Sequence, residues 1–431
     1  MDERRAGEAV AATGRPRVSI LLLMRFLTVV ACLLVLDVLW WCVVERQLRR
    51  HGRAGILRAA VRVFIIFQAV GLVVLAGQRR GIPDILGVVG AAAVYIWHLM
   101  VLPAAALCAG GAQVLAWALG AMRKAGWATA EDPPAPRADG GCCQAGDLRP
   151  TRRGVLWTAA AIMPPLLAGA GAVAGSAQAT RFRVRRMELA LPALPAELNG
   201  LTIAHIADIH SGRFTQPAKL DDIARVVNDM RADIVAVVGD LVDVQLRHLP
   251  PVLEMLGHLR SRYGVFICEG NHDLVDSPAM FRRAVASAGY QLLVNSTQRL
   301  NIGGRPVQVM GLRWGMGGAG GAAIAANMAE LLPRRAAGAF HILLAHHPHA
   351  FDAAAAAGVP LTLSGHTHGG QIMLGNNFGA GPLMFKYWSG VYRNGRSCLV
   401  VSNGVGNWMP LRTWAPAEII HITLRPAPAE A

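Results

Sequence analysis

Long apolar segments occupy the first 180 residues of the chain, and they limit the folds that it can adopt. Residues 26–44 contain one charged residue, Asp37, and residues 85–122 contain none. An apolar segment of about 20 residues can cross the hydrocarbon core of a bilayer, which is about 30 Å thick. Residues 63–77 and 154–179 are also predominantly apolar. The sequence therefore predicts an N-terminal bundle of four to five transmembrane helices, because a soluble fold would have no polar layer to cover them.

The number of helices decides on which side of the membrane the rest of the chain lies. Residues 85–122 are long enough for two helices, and Pro103 marks the predicted break because proline interrupts helical hydrogen bonding. With a cytoplasmic N-terminus, five helices place the following domain on the extracytoplasmic face of a bacterial-type inner membrane. The arginine-rich loop at residues 46–62 does not follow the positive-inside rule in that arrangement. We expect the extracytoplasmic face, and the cytoplasmic face is the alternative.

The last apolar segment has the features of a protein-export signal. It follows Thr151-Arg152-Arg153 and ends at Ala177-Gln178-Ala179. A pair of arginines, a moderately apolar run and a small-x-small site are together typical of a twin-arginine signal. The same arginines suit the cytoplasmic end of an ordinary transmembrane helix, and the sequence favours neither interpretation.

The composition of the chain changes at about residue 180. The whole chain has 42 Lys+Arg against 27 Asp+Glu, a formal net charge of +15, although only 16% of its residues are charged. The basic residues are dispersed and do not alternate with aromatic residues, so no nucleic-acid binding is indicated. We predict transmembrane helices in residues 1–125, a flexible Pro/Gly-rich linker in 126–150, a final transmembrane or twin-arginine-like segment in 151–180, and an α/β domain in 181–431. The oligomeric state is not indicated by any feature of the sequence.

Five apolar runs in the second half of the chain each end in a group of Asp, His or Asn residues. The groups contain Asp208 and His210, Asp240, Asn271, His346, and His366 and His368. Continuous apolar runs of this length are typical of strands that are buried on both faces of a sheet. Helix-like segments such as residues 217–230 separate the first three runs, which indicates βαβ alternation. Open α/β sheets bind their ligands at the carboxyl ends of the strands, so we expect the functional site there.

The side chains in these groups are suited to binding divalent cations. Carboxylate, imidazole and amide oxygen ligands favour Mn, Fe, Zn or Mg, and no cysteine stands within the groups to indicate a thiolate site. Alternate residues of a strand point the same way, so Asp208 and His210 can face one ion. About seven ligands exceed the needs of one tetrahedral ion, whereas two ions about 3.5–4 Å apart would use them all. Because such ion pairs act on phosphate esters, the sequence predicts a phosphoesterase.

The order of these motifs resembles that of the calcineurin-like metallophosphoesterase superfamily. The motifs, in the family's order, are DxH at 208–210, GDxxD at 239–243, GNHD at 270–273, a strand-end His346, and GHxH at 365–368. The longer segment GHTHGGQ, residues 365–371, resembles the membrane-associated branch of the superfamily. The resemblance covers about residues 182–425. It implies a four-layer αββα sandwich with two divalent metal ions at the strand ends.

By matching positions, the resemblance also implies a role for each polar residue. One ion would be held by Asp208, His210, Asp240 and His368, and the other by Asp240 as a bridge, Asn271, His346 and His366. His272 would donate a proton to the leaving oxygen or stabilise charge, and Asp273 would orient it. A hydroxide bridging the two ions would be the nucleophile.

Some positions leave alternatives open or depart from the family pattern. His347 and His349 could each replace His346 as a ligand, although the family pattern selects His346. Asp243 is expected to make hydrogen bonds in its loop rather than to bind metal. Leu312-Arg313-Trp314 stands where relatives usually have an acidic residue, and this departure concerns the substrate pocket rather than the metal centre.

We therefore expect a membrane-anchored phosphoesterase whose partners are the lipid bilayer and a phosphoester substrate. An apolar border beside the site could serve a lipid-linked phosphate or pyrophosphate, although core packing explains its residues equally well. The border residues are Trp314, Trp388, Trp408, Trp414, Phe385 and Met384. A general phosphodiesterase on soluble or cell-wall phosphoesters is the alternative within enzymes. A non-catalytic membrane scaffold or sensor is the alternative of another class, and the complete ligand set argues against it.

Overall fold

The computed structural model has two compact units, Met1–Val173 and Ala174–Ala431. The described residues are 16–50, 55–77, 85–108, 111, 117–118, 121, 152–192, 194–315 and 321–427. The predicted linker at residues 126–150 lies outside them. Most of the region after residue 108, where a further transmembrane helix is predicted, also lies outside them.

Four of the described helices are long and apolar enough to cross a membrane, as the sequence predicts. They are α1 (Pro16–Arg50), α2 (Gly55–Gly77), α3 (Gly87–Cys108) and α4 (Arg152–Thr180). The helix α4 continues through Pro164 and Pro165, which both lie inside it. The apolar spans within α1 and α4 begin at Met24 and Thr158.

The predicted helix break near Pro103 is wrong, because α3 continues past this residue to Cys108. A π-helical turn at Trp97–Val101 directly precedes the proline, and the Leu102 N–H donates to the Trp97 carbonyl oxygen. Proline lacks an N–H, and its ring crowds the carbonyl group four residues earlier in a regular α-helix. The wider π turn relieves this crowding, so the helix accommodates the proline without ending.

The charged residue of the first apolar segment is paired inside the first unit. Asp37 is buried, its Oδ1 accepts a hydrogen bond from Trp97 Nε1 at 2.7 Å, and its Oδ2 lies 3.0 Å from His98 Nε2. A second acidic residue, Glu45, accepts hydrogen bonds from Arg49, Arg58 and Arg62. Charged side chains within a membrane are costly unless they are paired. The pairing of Asp37 therefore makes this charge compatible with a transmembrane helix.

The described residues of the second unit form twelve strands in two mixed sheets of six. The strands are β1 (Phe182–Leu191), β2 (Thr202–Ile206), β3 (Ile234–Val238), β4 (Val265–Cys268), β5 (Leu292–Leu293), β6 (Ser296–Ile302), β7 (Arg305–Gly311), β8 (Phe340–Leu344), β9 (Leu361–Ser364), β10 (Gly390–Asn394), β11 (Ser397–Val401) and β12 (Ala417–Pro426). The first sheet has the order β1-β12-β2-β3-β4-β5, and the second has the order β10-β11-β9-β8-β7-β6. The five strands that precede the polar groups run parallel to their sequence neighbours within each sheet.

Helices cover the outer faces of both sheets. They are α5 (Pro217–Met230), α6 (Leu249–His258), α7 (Pro278–Ser287), α8 (Gly321–Leu331) and α9 (Ala350–Ala356), and a short helix α10 (Ala380–Met384) follows. One apolar core lies between the two sheets. A second core joins the first sheet to α5, α6 and α7, and a third joins the second sheet to α8 and α9. This arrangement confirms the predicted four-layer αββα sandwich.

The helix α5 shows how the sequence specifies these layers. Pro217 lies in the first turn, where the missing N–H of proline has no intrahelical partner to lose. Leu220, Ile223 and Val227 follow at helical spacing and are buried against the first sheet. The helix therefore returns the chain to the start of the next parallel strand, and successive strands end at the same edge.

Candidate metal centre

All five polar groups predicted from the sequence follow directly after strands. The strands β2, β3 and β4 are neighbours in the first sheet, and β8 and β9 are neighbours in the second. The groups from the two sheets meet, because the backbone N–H of His366 donates to Asp208 Oδ1 at 2.9 Å. The site is therefore built from the carboxyl ends of both sheets.

Asp240 lies at the centre of the polar groups. Its Oδ2 lies 3.0 Å from His346 Nε2 and 3.5 Å from His210 Nε2. Its Oδ1 accepts a hydrogen bond of 2.8 Å from the backbone N–H of His272. Among the described residues, three groups of possible ligands have ligand atoms within 4.8 Å of one another. Asp240 belongs to two of them, one with His346 and His366 and one with His210 and His272. The structure thus brings Asp240, the residue that the family resemblance predicts as the bridge, close to members of both predicted ligand sets.

The remaining group of possible ligands contains Asp208, His210 and His368, which are all buried. The Nε2 atoms of His210 and His368 lie 3.0 Å apart. Asp208 Oδ1 lies 3.4 Å from His368 Nε2 and 3.9 Å from His210 Nε2. These are three of the four residues predicted to hold the first ion, and the fourth is Asp240.

On the other side of Asp240, the structure distinguishes His346 from its neighbours in sequence. Asn271 Oδ1 lies 2.9 Å from His366 Nδ1, so the amide predicted for the second ion lies beside its predicted partner. His347 instead packs against His366, with ring centroids 4.7 Å apart, and His349 packs against His347 at 4.6 Å. Among these three histidines, His346 is the one whose ring nitrogen faces Asp240.

The backbone at the site has an unusual conformation. Positive φ angles occur at Asp208, His210, Asp240, His366 and His368, five of the seven predicted ligands. Such conformations cost about 1–3 kcal/mol each and persist where the surrounding structure imposes them. Two glycines allow the close packing, because a Cβ at Gly270 would lie 2.1 Å from Asp240 Oδ1 and a Cβ at Gly365 would lie 2.3 Å from Asp208 Oδ2. The fold therefore holds the ligands at the cost of local strain.

Burial and mutual charge shift the pKa values of the site. Burial raises the pKa of the Asp208 carboxyl group, and the charge of Asp240 adds to this increase. Burial would lower the pKa of the His346 imidazole, but the carboxylates of Asp240 and Asp208 outweigh it and raise the pKa to about 9. Burial and the neighbouring His210 lower the pKa of His368. The two buried carboxylates thus create a local preference for positive charge.

These residues fit a divalent metal centre. Buried nitrogens normally make a hydrogen bond, yet His346 Nε2, 3.0 Å from Asp240 Oδ2, makes none of good geometry with the described residues. The two Nε2 atoms of His210 and His368 face each other next to carboxylate oxygens. A cation would accept the lone pairs of such converging nitrogens and oxygens together, and this donor set suits Mn, Fe, Zn or Mg.

His272 lies beside these ligands, but its partner differs from the prediction. Its Nδ1 donates to the backbone carbonyl oxygen of Asp243, and the Asp243 carboxylate lies 3.4 Å away. The carboxylate of Asp273 instead accepts the backbone N–H groups of Asp240, Leu241, Val242 and Gly270. Asp273 therefore fixes the backbone around Asp240, and Asp243 is the residue that orients His272. The loop role predicted for Asp243 agrees with this geometry.

Residues 201–370 of the chain match the family of calcineurin-like phosphoesterases. This part of the chain is a calcineurin-like metallophosphoesterase domain. Two relatives, from Danio rerio and Bos taurus, are each named "Transmembrane protein with metallophosphoesterase domain" and are 32% identical over 57% and 66% of this chain. The chain spans 58% and 66% of the length of these two relatives. An uncharacterized metallophosphoesterase of Bacillus subtilis is 28% identical over 54% of this chain and 82% of its own length.

One residue next to the site that the sequence did not single out is Arg412. Its guanidinium group is fully buried, and its Nη2 lies 3.1 Å from His368 Nδ1. It also donates to the carbonyl oxygens of Asn403, Gly406 and Ala415 at 2.8, 2.7 and 3.0 Å. Burial lowers the pKa of Arg412 to about 10, which leaves it protonated at neutral pH. The one signal in the sequence is that Arg412 is the only charged residue between positions 405 and 417.

The position where the sequence departs from the family pattern also adjoins the metallophosphoesterase site. The Trp314 ring packs over His366 and His346, with centroid distances of 5.1 and 5.6 Å. The backbone N–H of Trp314 donates to Glu269, a buried carboxylate that is also paired with Arg282. Trp314 therefore forms an apolar wall at the side of the site where His346 and His366 lie.

Proposed function

We propose that the chain is a membrane-anchored, metal-dependent phosphoesterase that hydrolyses phosphoester or pyrophosphate bonds. The observation that carries this proposal is the convergence of ligand groups from both sheets on Asp240. Family membership supports the reaction class. The four apolar helices and the names of the vertebrate relatives support the membrane anchor.

The residues proposed to hold two divalent ions are the seven that the strand ends bring together. They are Asp208, His210, Asp240, Asn271, His346, His366 and His368. When bound, divalent ions supply Lewis-acid activation of water and neutralise charge on phosphoryl oxygens. The chain's own contribution is to fix these ligands through strained backbone and buried hydrogen bonds.

His272 is proposed to act on the leaving group. Its Nδ1 is engaged by the carbonyl oxygen of Asp243, so Nε2 is the atom available to donate a proton to the leaving oxygen. Its ring lies against that of His210, with centroids 4.5 Å apart, which places it directly beside the ligands. His272 is thus positioned to act next to the phosphoryl group.

The substrate is proposed to be a lipid-linked phosphate or pyrophosphate. Aromatic side chains border the site on several sides, with Trp408 6.5 Å from His272 and Phe385 6.0 Å from His366 between ring centroids. An apolar border favours substrates that carry hydrocarbon chains. We propose that the domain lies on the extracytoplasmic face of a bacterial-type inner membrane. The test is a reporter enzyme fused after Ala431. Reporter activity that is confined to the cytoplasm would contradict this orientation.

The test uses the purified full-length protein in detergent, freed of metal with a chelator and then supplied with Mn²⁺. Hydrolysis of a chromogenic phosphodiester is expected only with added metal. Asp240→Asn is expected to reduce the rate at least about 100-fold, because even indirect partners of metal ligands contribute 10–100-fold. Asp222→Asn, at an exposed aspartate on α5, is the matched control and should retain the wild-type rate. Equal rates in the two variants would contradict the metal mechanism, and a wild type inactive on every phosphoester would favour a scaffold.

A further inference from the structure

Two loops and the short helix α10, next to the metal centre, expose large apolar side chains to solvent. We call these residues the apolar rim: Leu374, Phe378, Leu383, Met384, Trp408 and Trp414. The exposed fractions are 67% for Phe378, 82% for Leu383 and 65% for Trp414. Single exposed apolar residues are ordinary, whereas a group of this size on neighbouring segments indicates a surface that binds another apolar phase.

The two loops of the apolar rim are joined to each other. The Met373 N–H donates to the Thr413 carbonyl oxygen at 3.0 Å, and the Thr413 hydroxyl donates to the Met373 carbonyl oxygen at 2.8 Å. The Leu374 N–H closes a turn by donating to the Phe378 carbonyl oxygen at 2.8 Å. Leu374 and Phe378 therefore belong to the same surface as Trp414, the neighbour of Thr413.

The second of these loops is also bonded to the end of helix α4. The Arg412 N–H donates to the Gly175 carbonyl oxygen at 3.1 Å, and Asn407 Nδ2 donates to the Ala179 carbonyl oxygen at 2.7 Å. The contact at Gly175 is close, since a Cβ there would lie 3.1 Å from Leu411 Cβ. Because a helix rises about 1.5 Å per residue, Gly175 lies about 7.5 Å before the end of α4 at Thr180.

This contact sets the level of the apolar rim relative to a membrane. Residues 158–180 of α4 form an apolar span that can cross a bilayer, and the loop is bonded within its last two turns. A loop held at that level meets the headgroup layer, where tryptophan side chains are enriched. Trp408 and Trp414 lie on either side of Arg412, the residue that is bonded to the helix.

Polar groups suited to lipid headgroups lie beside the apolar rim. A groove of about 460 Å³ is lined by Trp414, Arg183, Asn376 and Asn377, among others. Arginine and asparagine side chains donate hydrogen bonds to phosphate oxygens, although Nε and Nη2 of Arg183 already donate to Glu418. The surface therefore combines apolar side chains with headgroup donors, as a bilayer interface requires.

We propose that the apolar rim rests in the headgroup layer of the bilayer that α4 enters, so that the metal centre opens at the lipid surface. This inference rests on the membrane anchor of the proposed function. It also specifies the substrate class, because a phosphoester on an amphiphile can then reach the site without leaving the bilayer. Trp408 borders both this surface and His272.

The test is photo-crosslinking of the full-length protein in lipid nanodiscs of phosphatidylcholine and phosphatidylglycerol. A benzophenone amino acid replaces Phe378 or Leu383 in the rim, Leu167 in the span of α4, or Met280 on α7. All four side chains are exposed, so they differ in location rather than in access. Phospholipid adducts are measured by mass spectrometry of the digested protein.

Lipid adducts at the two rim positions are expected at a yield close to that at Leu167 and at least tenfold above that at Met280. The proposal is overturned if Leu167 forms lipid adducts while Phe378 and Leu383 do not exceed Met280. Crosslinks from the rim to a second copy of the chain would also overturn it. Absence of lipid adducts at Leu167 would instead refute the membrane anchor, whereas the hydrolysis assay in detergent tests the metal mechanism separately.

Discussion

Replacing Arg412 by methionine tests whether this buried residue positions His368 for metal binding. Methionine keeps much of the side-chain length but removes every donor from a site that is fully buried. Three backbone carbonyl oxygens at 3.0 Å or less lose their partner, those of Asn403, Gly406 and Ala415. Each unsatisfied buried group costs about 1–3 kcal/mol, so we expect the free energy of unfolding to fall by about 3–9 kcal/mol. The fall is nearer the lower value where water enters the site.

A positioning role predicts a second effect that a purely structural role does not. Loss of the contact between Arg412 Nη2 and His368 Nδ1 frees the ring of His368, and removal of a partner of a metal ligand lowers affinity about 10–100-fold. Mn²⁺ affinity is measured by calorimetry on metal-free protein well below the unfolding midpoint of each variant. Arg412→Lys keeps the charge and one donor group, so its affinity is expected between those of wild type and Arg412→Met.

The control is Arg225→Met, which removes an exposed arginine paired with Asp222 on α5 and should change neither quantity. A variant Arg412→Met that unfolds at a lower temperature but binds Mn²⁺ with wild-type affinity would refute the positioning role. Unchanged stability would refute the assignment of its hydrogen bonds as well.

Three further substitutions test other parts of the structure. Gly365→Ala places a Cβ 2.3 Å from Asp208 Oδ2 and should lower Mn²⁺ affinity at least about tenfold. The control Gly375→Ala has open space around its Cβ and should keep the wild-type affinity. Equal affinities in the two variants would contradict the packing at Asp208. Asp273→Asn turns the amide donors of the new side chain toward two backbone N–H groups and should lower the free energy of unfolding in denaturant by about 2–6 kcal/mol. A smaller decrease would argue against the hydrogen-bond role of Asp273. Asp37→Leu should lower the free energy of unfolding in SDS by about 1 kcal/mol, and the double variant Asp37→Leu with His98→Leu should recover part of this loss. No recovery in the double variant would argue against the pairing of the two side chains.

The strand-end residues of the site could be recognised in the sequence because each strand is short, apolar and followed at once by its ligands. Periodicity is a local property, so the strands and the helix at residues 217–230 needed no tertiary information. The break predicted at Pro103 failed because local rules treat proline as a helix breaker, while a π turn accommodated it. The helices of the first 180 residues were likewise evident from apolar length alone.

The partners of the charged side chains were not evident from the sequence. Adjacent positions suggested that Asp273 orients His272, yet a carboxylate one residue away on a tight turn points to the backbone, and Asp243 on another loop reaches the ring. Arg412 follows the last predicted ligand, His368, by 44 residues, and nothing in local spacing connects the two. The apolar rim also depended on the tertiary structure, because exposure cannot be read from a residue's identity.

The sequence by itself determined the strands, the membrane segments and the set of possible metal ligands, because these follow from apolar periodicity and from the chemistry of neighbouring side chains. Only the tertiary structure decided which carboxylate lies at the centre, which histidine of the 346–349 segment faces it, and which buried arginine holds His368. The physical reason is distance along the chain: these contacts join segments from both sheets, and their geometry exists only when the layers have packed.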